Sequence, residues 1–157
     1  MTQIEGVTLA SRSAWTVLRP LLFESIGQTL EMVLVTMIVG GILGLVLGVV
    51  LYGTRPGNLF ENAVVYRILD VIVNIIRPIP FIIFLAAMQP LTIKVIGTSI
   101  GTAAAIFPMI IMCTMATSRL VEQNLVPVDS GVIEAARAMG ASKLTIVRTV
   151  LIPEALA

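Results

Sequence analysis

Long uncharged apolar runs, separated by short polar punctuation, dominate this chain. Met32 to Tyr52 carries no charged residue, and its 21 residues suffice to cross a hydrocarbon core about 30 Å thick at ~1.5 Å per residue. It starts too late and runs too long for a signal peptide, and "TRPG" follows it instead of a small-residue cleavage site. A second run, Ile68 to Gln89, is interrupted by "RPIP" at 77–80. A third, Val95 to Ser118, is uncharged throughout and ends at Arg119, with Pro108 placed to kink it. The pattern predicts three transmembrane helices, at about 30–53, 68–90 and 95–118, then a polar segment to the end. Ahead of them, Trp15, Leu18, Leu22 and Phe23 suit either a surface-lying segment or a helix leading into the bundle.

Composition agrees with a lipid environment. Hydrophobic residues make up 57% and charged residues 12%, so the chain lacks the polar surface that water requires. The expected fold is an all-α polytopic transmembrane bundle forming one domain over 1–157. A net charge of +1 with no basic arm argues against a nucleic-acid partner. There is no histidine, no clustered metal-ligand set and no nucleophile–base pair, so neither a metal site nor an enzyme is expected. With the N-terminus outside, Arg55, Arg67, Arg119, Arg137, Lys143 and Arg148 lie in the cytoplasm, against Arg12, Arg19 and Lys94 outside. That excess favours N-out with a cytoplasmic closing segment.

Within the spans, Gly40, Gly44 and Gly48 share one helical face. In lipid such a face permits close backbone approach, so the first span is read as a packing helix within the bundle or across a dimer. Asp70, Asn74 and Arg77 form a polar stripe, a candidate translocation lining or bundle-stabilising ion pair. The competing reading starts the span near Ile75, leaving Asp70 interfacial and Arg77 reaching the surface. Met109, Met112 and Met115 are read as packing.

The polar segment at 129–153 is punctuated. Asp129 or Ser130 is placed to cap a first helix, Glu134 suits its positive end and stands three residues before Arg137, and Gly140 suits a left-handed stop. Ser142 is placed to cap a second helix with Leu144, Ile146, Val147 and Val150 as its apolar positions, ended or bent by Pro153. The product is an L-shaped helix pair suited to a groove on another protein.

Glu134, Ala135, Ala136, Gly140, Val150, Ile152 and Pro153 stand at the spacing of the EAA signature, and in this the chain resembles ABC-importer permeases. Val150 and Ile152 replace the more usual Ile and Leu. "LYGTRPG", "VNIIRPIPFII" and "GTSIGTAAAIFP" look like the methionine-importer subfamily. The resemblance implies a homodimeric permease without cofactor, ATP being bound by two partner ATPase subunits into which the cytoplasmic loop docks. A substrate-binding protein would deliver methionine or another small amino acid. Glu134, Ala135, Ala136 and Gly140 inherit the coupling role. Such permeases usually carry two spans beyond the signature, whereas this chain stops four residues past Pro153, so a truncated permease or a non-transporting scaffold subunit is also expected to fit. A secondary transporter fits less well, Asp70 being its only acidic candidate within a span.

Overall fold

The computed structural model describes residues 2–128 and 130–153. They form seven α-helices and two π-turns. Helix α1 (Thr2–Val35) passes through a widened π-turn (Thr36–Gly40) into α2 (Gly41–Thr54). Then come α3 (Ala63–Ile76), α4 (Phe81–Ile96) and α5 (Thr102–Leu125). The closing segment holds α6 (Ser130–Ala138), α7 (Lys143–Ile146) and a second π-turn (Val147–Leu151).

Among the described residues, two stretches are long and apolar enough to cross a membrane, Leu18–Thr54 and Thr102–Leu125, and the bent pair α3–α4 makes a third if counted as one span. The first span therefore begins well before residue 30 and runs unbroken from α1, which settles Trp15, Leu18, Leu22 and Phe23 on a helix leading into the bundle. The run predicted at 68–90 is two helices, bent by 115° at residues 77–80. Pro78 and Pro80 cannot continue the hydrogen-bond ladder, and Pro80 starts α4 by accepting from Ile83 and Phe84. The third span begins at Thr102 instead of 95. Val95 and Ile96 complete α4, and Gly97 and Gly101, both at positive φ, turn the chain between the helices. It also ends later, because Arg119 and Glu122 belong to α5 and not to the polar segment.

Helices α2 and α5 pack side by side along the glycine face. A Cβ built on Gly40 would lie 2.8 Å from that of Cys113, one on Gly44 2.5 Å from that of Thr117, and one on Gly48 2.6 Å from that of Val121. Contacts climb both sequences together, so the helices run parallel. Two parallel membrane helices need a return between them, and the bent pair α3–α4 is the segment that lies there. Tyr66 and Asp70 of α3 meet Glu122 and Arg119 of α5 in the opposite sense, as a returning helix must.

Candidate functional site

At the ends of α2 and α5 the chain builds a small apolar core. Tyr52 and Leu59 come from the end of α2 and the following turn, Leu125 from the last position of α5, and Ile133 and Ala136 from α6. Ile146, Val147 and Leu151 complete it. Leu125, Ile146 and Leu151 are fully buried. The α2–α3 turn is fixed beneath this core. Asn58 Nδ2 donates to the Tyr52 carbonyl at 2.6 Å, and Asn62 caps α3 by accepting from the Val64 and Val65 amides at 3.2 Å each. Lys143 Nζ stands 5.4 Å above the Phe60 ring, tying α7 to the same turn.

Gly140 closes α6 as predicted. Its φ is +80°, its amide donates to the Arg137 carbonyl at 2.9 Å, and the Ala141 amide reaches back to the Ala136 carbonyl at 3.1 Å. This bond pair is the Schellman arrangement, and Ala141 packs against the apolar core as that motif favours. A Cβ on Gly140 would meet nothing within 4 Å, so glycine is required here for its backbone angle, not for space. Ser142 caps α7, its Oγ accepting from the Thr145 amide at 3.2 Å.

The elbow sorts the predicted residues onto two faces. Glu134 and Ala135 point outward, while Ala136, 7% exposed, points into the core. The two signature alanines thus face opposite ways, because a helix lying on a surface buries about every third or fourth position. Glu134 and Arg137 do not pair. Both are solvated, and an exposed pair at that spacing gains little over water. Pro153, the last described residue, is helical and follows the second π-turn. Asp129 and the side chain of Ser130 lie outside the described residues. Sequence reasoning missed Met139, 82% exposed, and read Leu144 as an apolar position of the second helix, whereas it stands 65% exposed; the two make an apolar tip on either side of Gly140. The spacing that marked Gly140 as a turn was also the signal that its neighbours project.

The polar stripe divides as well. Asp70 does not engage Arg77. Its Oδ1 accepts from Arg119 Nη1 at 2.9 Å, and the same nitrogen donates to Glu122 Oε2 at 2.6 Å. Tyr66 donates its phenolic hydrogen to the other Glu122 oxygen at 3.4 Å. Asn74 and Arg77 are exposed and line a shallow depression with Pro78 at the bend. The π-turn and the glycine seam belong to packing, with Thr114 Oγ1 2.8 Å from the Ile110 carbonyl and 3.4 Å from that of Gly40 across it.

A parallel helix pair, a bent helix pair between them and an outward elbow built on their ends define a multi-pass helical membrane domain. Residues 40–157 match the family described as binding-protein-dependent transport system inner membrane component, and the chain belongs to that family. It is 49% identical over 136 residues to the D-methionine transport system permease protein MetI of Salmonella typhi, covering 87% of this chain and 63% of that one. The methionine import system permease protein MetP of Bacillus subtilis (strain 168) is 41% identical over 107 residues, 68% of this chain and 48% of the relative. Among solved structures, the MetNI methionine ABC transporter in inward-facing conformations superposes with a TM-score of 0.84 at 47% identity, covering 88% of this chain and 64% of that one.

Proposed function

We propose that this chain is part of the permease of an ATP-driven importer for methionine or a similar small amino acid, with the α6–α7 elbow as its coupling loop. The carrying observation is the elbow itself: a Schellman-closed turn presents Met139 and Leu144 outward while its inner face is packed on the ends of α2 and α5. An apolar tip on a rigid helical corner suits a groove in another protein. Motion imposed there reaches two spans through the core packed on their ends.

On this reading the loop faces the cytoplasm with the N-terminus outside, two copies of the permease form the path, and each loop docks into an ATPase subunit that alone binds ATP. A binding protein delivers the amino acid from outside. For ATP to switch access, the loop must contact the two states of the ATPase differently. Glu134, Ala135 and the exposed tip make the contact, Gly140 sets its angle, and Ala136 holds it to the body.

The test uses the full-length permease with its ATPase in membrane vesicles, scoring co-purification and methionine uptake. Gly140→Pro and Glu134→Lys are expected to lower both. Wild-type association and uptake in both variants would overturn the coupling assignment.

A further inference from the structure

We propose that Arg119 is a positioning residue that carries movement of the elbow to the broken span. Arg119 and Glu122 stand three residues apart on α5, and Tyr66 and Asp70 four apart on α3. Two polar contacts therefore tie the helices, Arg119 to Asp70 at 2.9 Å and Tyr66 to Glu122 at 3.4 Å. The 2.6 Å bond between Arg119 and Glu122 closes the ring. Two points of attachment fix both the rotation and the register of α3 against α5, which one would not.

Glu122 is 2% exposed, and a buried carboxylate needs its partners. Arg119 and Asp70 are more open, with side chains 23% and 27% exposed. The pair joining the two helices is therefore the adjustable side of the ring, and the Arg119–Glu122 bond the fixed side. Below the ring, Leu125 ends α5 fully buried in the core that seats the elbow. Beyond it, α3 runs to Ile76, where the chain turns by 115° into α4. Displacing the elbow moves the end of α5, α5 carries Arg119, and Arg119 carries α3 about the bend. Helix α2 is held to α5 by the glycine seam and follows without this ring.

The inference rests on the importer reading, and the experiment separates the two. Full-length permease, its ATPase and its binding protein are reconstituted in liposomes, and methionine uptake and ATP hydrolysis are measured on the same complex. Asp70→Asn weakens the link between helices while leaving Glu122 its arginine. Uptake per ATP hydrolysed is expected to fall about fivefold or more, the lower end of what coupling between two sites is worth. Complex yield and hydrolysis should hold, and Asp70→Glu should recover most of the ratio. Tyr66→Phe, which deletes one hydroxyl, is expected to lower the ratio by a smaller factor, about twofold to fivefold.

An unchanged ratio in assembled Asp70→Asn complex overturns the proposal. So does failure of both Asp70→Asn and Tyr66→Phe to assemble, since the ring would then only hold the fold. A wild-type complex that hydrolyses ATP without moving methionine sinks the importer reading, and this proposal with it. A working wild type with an unaltered variant ratio sinks the proposal alone.

Discussion

Gly44 lies against Thr117 so closely that a Cβ added to the glycine would come within 2.5 Å of the threonine Cβ and 3.0 Å of the Thr114 carbonyl oxygen. Backbone cannot yield as a flexible side chain can. Gly44→Leu is therefore expected to cost about 1–3 kcal/mol or more through overpacking, read as a lowered unfolding temperature of the full-length protein in detergent. The control is Gly41, whose added Cβ would meet nothing within 4 Å. Gly41→Ala should leave stability unchanged or raise it by up to ~1 kcal/mol.

Gly140 offers a different test, since its need is conformational. Gly140→Val should strain the elbow by about 1–3 kcal/mol, and Gly140→Asn by less, because asparagine tolerates the left-handed region. Limited proteolysis between α6 and α7 reports the opening directly, with each 1.4 kcal/mol giving about a tenfold faster cleavage where opening is rapid. Equal cleavage of wild type and Gly140→Val would remove the Schellman turn from the account.

The elbow core predicts a contrast between two residues of α7. Ile146 is fully buried and Leu144 is largely exposed. Ile146→Ala should destabilise the loop by about 2–5 kcal/mol, whereas Leu144→Ala should stay within ~0.5 kcal/mol. Hydrogen exchange of the α6 amides checks both. If the tip serves docking, Leu144→Ala should still weaken ATPase co-purification.

The parallel course of α2 and α5 makes a topological prediction. Ser99, in the turn before α5, and Ala138, at the end of α6, should lie on opposite sides of the membrane. In a Cys113→Ser background, Ser99→Cys and Ala138→Cys should react with an impermeant maleimide from opposite faces of oriented vesicles. Labelling from the same face would mean that α3–α4 turns back without crossing.

The apolar runs announced the helices, and the Gly40, Gly44, Gly48 spacing announced which face of the first span would pack, because both signals are local and periodic. Gly140 and Ser142 were readable for the same reason: a left-handed stop and a cap each depend on one residue and its immediate neighbours. The partner of Asp70 was not. Arg119 lies 49 residues away, and a charge inside a helix reads as the end of a span unless its buried partners are known. Span limits drifted for a related reason. Hydropathy weighs side chains, whereas Gly97, Gly101, Pro78 and Pro80 act on the backbone. That Ala136 faces inward was not legible either, since alanine suits either side of a helix.

Among the described residues, the turn from α3 into α4 gives the amides of Phe81 and Ile82 no carbonyl partner, shortly after the exposed Arg77. Acyl chains offer such groups no acceptor, and an unsatisfied donor there costs several kcal/mol. The elbow of the broken span must consequently abut wet space or another polypeptide wall, so this flank of the domain is turned away from the lipid.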